Sequence, residues 1–506
     1  MKRPALRLGL AFLLALVCAR RATAVTFTVT SLADSGPGSL RQAVLDANAA
    51  AGADEVAFTA GLTGTITLTS GEILITDSLA VNGPGAGALT VSGNDQSRIF
   101  HVENFAVAVP IDVTLSGLTL TRGFSASGSV AGGAVFADSE NLTILNSVIS
   151  NSTSGAQKDP SPDGCGGNVG FFGTSGGTLR IADSTLSGGN SLGLNFALGG
   201  NLCVFKGKLT LERSTLSGGT ATQGGGLLVD DLAQDSTISF STISGNQGFQ
   251  SGGGIFSDSL GTGILTIDSS TISGNTGGLP GPIHTGAGGG IEIHQGNLRI
   301  INSTISGNTA NNGGGGIIAP AGADSSLLLR LTTVSNNTAA VKGGSILARG
   351  AFAVVQLDHS IVANGTPEDL DAEPAPHPPP PTIASNYSLI EAPGNAVVLG
   401  AHNIIGADPL LGPLASNGGP TLTHRPLPGS PAIDAGDPAI PSPPAADQRG
   451  LARIAGAAID LGSVEVQQEG AAEVPALSQA GVLALSALLF AAGFRRLRQG
   501  GLQKRG

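Results

Sequence analysis

The 506-residue chain has no tryptophan, one tyrosine, one methionine and three cysteines, and only 12% of its residues are charged. An ordinary soluble domain carries roughly 25% charged residues. So little charge, with so few large aromatics, argues against a conventional globular domain. The chain also lacks a phosphate loop, a nucleophile elbow and a cysteine pair at metal-finger spacing. His101, His284, His359, His377, His402 and His424 show no metal-ligand spacing. What is abundant is glycine, 78 residues, joined by 28 prolines. The hydrophobic fraction of 41% is too high for a disordered chain, which lacks the apolar surface to offset ordering entropy. A repeat array with many tight turns around a continuous apolar interior fits both facts.

The two ends differ from the body. Residues 1–24 read as a signal peptide, with Lys2, Arg3 and Arg7 before an apolar stretch and Ala22-Thr23-Ala24 as a small-x-small cleavage site. The C-terminal end runs Val474-Pro475-Ala476-Leu477-Ser478, then apolar residues to Phe494, then Arg495, Arg496 and Arg498. Residues 1–24 and 495–506 hold ten of the 25 bases and no acid. The body between them therefore carries 15 bases against 36 acids. A body that acidic is repelled by phosphate backbones, which excludes nucleic acid as a partner.

Between the ends the chain repeats. The phrase Ser-Thr-Ile-Ser-Gly-Asn occurs at 241–246, 270–275 and 303–308, with looser copies around it. Its central aliphatic residues are Leu120, Ile149, Leu186, Leu216, Ile243, Ile272, Ile305, Val334 and Ile361, spaced 27 to 37 residues apart. Within each unit a Gly-Gly precedes another aliphatic run, as in GGGLLVD and GGGIFSD, and a third run precedes the Ser-Thr-Ile phrase. Three short β-branched strands separated by turns, about 29 residues per unit, predict an all-β, right-handed parallel β-helix with three strands per coil. The aliphatic landmarks should stack inward in one column. Asn246, Asn275, Asn308, Asn337 and Asn364 follow them at fixed register and should form a ladder, since Asn suits a sharp turn and its amide bonds along a stack. An open first coil needs a cap. Ser39-Leu40-Arg41-Gln42 starts a helix over about 39–48 whose apolar face supplies it.

With these residues in view, VTSLADSGPGSLRQAVLDANAAAGADEVAF resembles the N-terminal segment of bacterial β-helix surface proteins. The stretch 403–466, with NIIGADPLLGPLASNGGPTLTHRPLPGSPAIDAGD, DQRGLAR and IDLGSVE, resembles the choice-of-anchor Q domain. The C-terminal pattern of Pro motif, apolar stretch and Arg cluster resembles the IPTL-type sorting signal, with Ala480 where that signal usually has Trp. These resemblances imply a signal peptide at 1–24, a cap and first coils at 25–110, and β-helix repeats at 111–366. A Pro-rich inserted loop follows at 367–384, and the helix continues through a C-terminal region at 385–466. A linker at 467–473 leads to the sorting signal at 474–506. They imply export to the cell envelope or outer surface, membrane contact through the C-terminal segment, and no catalytic motif.

Candidate chemistry must then come from an outer face. The position three after the aliphatic residue of each Gly-Gly strand holds Asp138, Phe172, Phe205, Asp230, Asp258, His294, Pro320 and Arg349. Asp230, Asp258 and His294 fall in successive coils, about 5 Å apart if in register, with Asp231 and Glu292 nearby. This column is the one arrangement suited to proton transfer or to a cation such as Ca2+. A solvated outer face explains it as simply. No cofactor and no dedicated metal site is expected. Cys165 and Cys203 remain after signal removal, and their five-residue offset in adjacent strands argues against a disulfide. The expected function is a scaffold or adhesin-like surface that meets a glycan or another cell-surface ligand. A pectate-lyase-like polysaccharide-degrading enzyme is the alternative.

Overall fold

In the computed structural model the described residues are 23–467, except 106–108, 126–130, 156–163, 175, 194–196, 279–287, 320–324, 350–353 and 374–380. The body of the signal peptide, the Pro-rich run and the C-terminal sorting segment lie outside them. Among the described residues no helix is long and apolar enough to cross a membrane.

The chain winds about 11 turns of about 29 residues as a parallel β-helix. Its strands stack into sheets of 14, 13 and 11 strands, called here A, B and C, and a fourth of 8, called D. One coil shows the order: Lys208–Glu212 in A, Thr215–Ser217 in B, Thr220–Gln223 in D and Leu227–Asp230 in C. Successive side chains point to opposite faces, so burial alternates along A, whereas C is buried on both faces for its first three residues. Leu209 and Leu211 point inward from A, and Leu227 and Val229 from C, all at 0% exposure. Three strands per coil describe the ends of the helix. From Phe124 to Ala339 the short D strands add a fourth side. They arise where the chain runs straight after the Asn turn before meeting the Gly-Gly corner.

The N-terminal helix, α1 (Leu40–Ala49), is capped by Ser39, whose hydroxyl accepts from the Gln42 N–H at 3.2 Å. Leu40, Ala43, Val44 and Ala47 are its buried face. It packs on the first strands of A and C and so covers the open end of the coil. Arg41 ties it down by donating to the carbonyls of Gly71 and Glu72.

In sheet B, Leu120, Ile149, Leu186, Leu216, Ile243, Ile272, Ile305 and Val334 are direct register partners and form one inward column. The next member is Val362, not Ile361. The phrase here is shifted by one residue, reading Asn-Gly where the copies at 241–246, 270–275 and 303–308 read Gly-Asn. Asn364 therefore takes the left-handed turn position, φ 57°, that Gly245 fills at φ 64° in an earlier coil. It is exposed and does not join the ladder. The other four do: Asn246, Asn275 and Asn308 each donate from Nδ2 to the next Oδ1 at 2.9 Å, ending on Asn337. The ladder continues upstream through residues from a different corner. Asn168 donates to Asn201 at 2.8 Å and Asn201 to Asn246 at 3.0 Å. These two come from the Gly-Gly-Asn corner before sheet C. One interior slot is thus filled from either corner, and glycine occupies the corner that packs against a ladder amide of the adjoining coil. A Cβ on Gly254 would lie 3.0 Å from the Asn275 amide, and one on Gly189 2.9 Å from that of Asn168. A second ladder lies at the A-to-B turn, where the N–H groups of Ser147, Ser184, Ser214, Ser241 and Ser270 each donate to the hydroxyl of the next serine.

Two expectations about the C-terminal region are corrected. Leu370–Glu373, expected inside an inserted loop, pairs with Ile346–Arg349 as a strand of sheet C. The coil itself continues only to Ile404–Ile405. Residues 406–466 then return along the outside of sheet B rather than adding turns. Their prolines, 409, 413, 420, 426, 428, 431, 438, 441, 443 and 444, cannot donate to a ladder, so this stretch cannot supply regular strands. The helix and the returning segment form one compact unit ending at Val466.

Candidate functional site

The outside of sheet C carries a line of half-buried and buried rings. His101 and Phe136 lie 5.3 Å apart between centroids, Phe136 and Phe172 5.2 Å, and Phe172 and Phe205 5.8 Å. The two Phe–Phe pairs meet edge to face, a favoured arrangement of aromatic rings. Beside it Cys165, Cys203, Leu228 and Phe256 form a buried outer cluster. Cys165 and Cys203 are joined as a disulfide, with Cα atoms 5.5 Å apart. The offset that argued against this bridge does not lie along one strand. Gly166, at φ 74°, turns the chain sharply after Cys165, and Gly170, the register partner of Cys203, has no side chain to block the approach.

One coil beyond Phe205, its register partner Asp230 opens a cleft of about 420 Å³. Asp230 and Asp258 are register partners, as the repeat spacing predicts. His294 is not in that register. A bulge makes Gln295 the partner of Asp258, and His294 is the extra residue. The bulge re-aims the imidazole without taking it from the site. His294 Nδ1 lies 3.0 Å from Asp258 Oδ1, and its ring stacks at 18° over Phe256, centroids 6.3 Å apart. Glu292, Gln223 and Ser251 complete the polar lining, with Leu198 and Leu228 as apolar wall. The repeat pattern brought Asp230, Asp258, His294 and Glu292 into view. Gln223 and Ser251 come from sheet D, a side of the coil that the spacing did not disclose.

The electrostatics are those of a crowded acidic pocket. Burial, followed by repulsion from Asp231 and Asp258, pushes the Asp230 carboxyl up to about 6, against a smaller pull from Lys206. Burial also raises Glu292, opposed by the Gly288 N–H and by attraction to Arg349. The hydrogen bond to Asp258 raises His294, against burial and helped by the charges of Asp258 and Glu292. Near neutral pH the cleft therefore offers carboxylate acceptors, a protonatable imidazole and the neutral Gln223 and Ser251. Arg349 is already paired with Glu373 at 3.0 Å. Among the described residues no group of three or more His, Cys, Asp or Glu side chains is placed to hold a metal ion.

The outside of sheet B is closed instead. Gln448, on the returning segment, accepts from Thr304 at 2.6 Å and donates to the hydroxyls of Thr271 and Thr421. Ser306 and His424 share a hydrogen bond at 2.8 Å, and His359 Nε2 accepts from the Asp437 N–H at 3.0 Å. Behind these contacts Arg453 is buried among Glu465, Asp447 and Asp460.

Residues 474–499 match the IPTL-CTERM motif, a C-terminal sorting signal of exported proteins. No curated protein matches the chain in sequence. Among solved structures, the crystal structure of pectate lyase Pel9A is similar at 14% identity and a TM-score of 0.41, over 88% of this chain and 97% of that one.

Proposed function

We propose that this exported protein is a surface-displayed β-helical scaffold that binds an uncharged saccharide in the cleft on sheet C. The observation that carries the reading is a cleft in which carboxylates and an amide converge beside the exposed His294 ring, itself stacked on Phe256. Ring faces suit the apolar faces of sugars, and carboxylates and amides suit their hydroxyls. Concave, partly apolar sites with a few convergent polar groups are where small ligands bind. The acidic lining opposes a polyuronate, because Asp230 and Glu292 are already raised and Arg349 is paired. The stretch 403–466, which resembles the choice-of-anchor Q domain, has a structural part in this reading: it closes sheet B and leaves sheet C as the presented face.

The test is affinity electrophoresis of the full chain in gels containing a neutral β-glucan, a β-mannan, glycol chitin or polygalacturonate. Retardation by a neutral glycan, weakened in Asp258→Asn, is expected. Retardation by polygalacturonate alone, or by none of the four, contradicts the reading.

Cleavage of a neutral polysaccharide is the second reading. It is favoured by Asp230, held protonated to about pH 6 beside the Asp258–His294 pair, since a raised carboxyl and a charged neighbour suit general acid catalysis. Release of reducing ends, abolished in Asp230→Asn while binding persists, would establish it. Binding without release leaves the scaffold reading in place.

A further inference from the structure

A second cleft, of about 520 Å³, lies at the corner where the chain passes from sheet C to sheet A. It meets the first at two consecutive residues: Asp230 lines one and Asp231 the other. Asp231 has φ 50°, the sharp turn that sends adjacent side chains into different clefts. Three side chains in the second cleft have work left to do. Lys206 lies with its ammonium 5.1 Å above the Phe205 ring, and among the described residues it has no carboxylate at ion-pair distance. The Gln234 side chain is exposed and makes no hydrogen bond among the described residues. Leu260 is 75% exposed, although its backbone is fixed by donation to Asp231 at 3.2 Å. A cation with residual donors, a free amide and an apolar patch, arranged around one opening, match the mixed faces of a sugar ring. Gly176 lies in the wall, where a Cβ would meet nothing within 4 Å.

We infer that this cleft is a further subsite for the same saccharide chain, so that the ligand is an oligosaccharide that turns the corner at Asp230 and Asp231. The inference rests on the saccharide reading of the first cleft and adds chain length to it. Each cleft falls within the roughly 300–1,000 Å³ of small-ligand sites, and a ligand filling both gains contacts that a short one cannot reach. Neither Gln234 nor Leu260 lines the first cleft, and neither is charged, so the two subsites can be separated by mutation.

The experiment is titration calorimetry of the full chain with the disaccharide and hexasaccharide of β1,4-linked glucose, mannose and N-acetylglucosamine. Some hexasaccharide is expected to bind at least tenfold more tightly than its disaccharide, about 1.4 kcal/mol. The double variant Gln234→Ala, Leu260→Ser should lose that gain and keep the disaccharide affinity. Equal affinity for both lengths, or a gain that persists in the double variant, overturns the second subsite while leaving the first. Absence of binding by every oligomer overturns both. Far-ultraviolet circular dichroism of the double variant checks that the helix is intact.

Discussion

Sheets B and C both turn polar side chains outward, and these side chains end in opposite states. On sheet B, Thr304 and Thr333 are 0% and 1% exposed because residues 406–466 lie over them. Their hydroxyls are spent on Gln448 and Ser463. On sheet C, Asp230 and Asp258 keep solvent contact, and the His294 side chain is 56% exposed. The histidines show the same split. Burial lowers His424, which bonds within the chain, whereas Asp258 raises His294. A buried polar group must find a partner in the fold, at a cost of about 1–3 kcal/mol if it does not. Groups left at an open cleft can wait for a ligand. The contrast separates a face closed by the chain itself from one left open to solvent.

The comparison breaks most visibly at Arg453. Replacing this buried cation by methionine leaves Asp447, Asp460 and Glu465 facing one another, a loss of about 3–5 kcal/mol. Arg453→Met should lower the urea midpoint and speed hydrogen exchange at Thr271, Thr304 and Thr333, with exchange in strand Leu227–Asp230 unchanged. Equal acceleration on both faces would deny that sheet B is covered by a separable segment.

The corresponding support on sheet C is the disulfide. It closes a 38-residue separation, and removing such a bridge costs about 4 kcal/mol through the unfolded chain. Cys203→Ser should lower stability by that amount, and reduction of the wild type should do the same. The loss should be accompanied by faster exchange in Val169–Phe172 rather than under the returning segment.

Acidity sharpens the contrast further. Glu465 is pushed from 4.5 up to about 7, first by burial and also by Asp460. The folded state therefore holds this proton more tightly than the unfolded chain does. The stabilisation is complete below the unfolded value and is lost as pH rises through about 7, an effect on the order of 2 kcal/mol. Asp230 behaves with the same sign in a lower window, from 3.8 to about 6. Limited proteolysis between pH 5 and pH 8 should show residues 406–466 becoming more susceptible at the higher pH. Greater susceptibility at pH 5 would reverse the sign and refute the account of the buried network.

Much of this was legible in the repeat. Its length, inward aliphatic column and Gly-Gly corners define a parallel coil, and Asp230 and Asp258 follow from the register. What escaped did so for physical reasons. The ladder slot can be filled from either corner, so Asn168 and Asn201 were hidden by their position in Gly-Gly-Asn. Asn364 imitates a ladder residue because asparagine also suits a left-handed turn. The single-residue bulge at His294 has no sequence mark. The return of residues 406–466 depends on contacts such as Thr271 with Leu422, 151 residues apart, which no local period encodes.

The central claim is that the open face of sheet C, not the covered face of sheet B, is where the protein meets its ligand. It is tested most directly by comparing the hexasaccharide affinities of Asp258→Asn and Thr304→Val in calorimetry. Asp258→Asn is expected to weaken binding at least tenfold, about 1.4 kcal/mol, with thermal stability within about 0.5 kcal/mol of wild type, as for most partly exposed sites. Thr304→Val should lower stability and leave affinity unchanged in the folded fraction. Unaltered affinity in Asp258→Asn, or loss of affinity in Thr304→Val at full folding, would contradict the account.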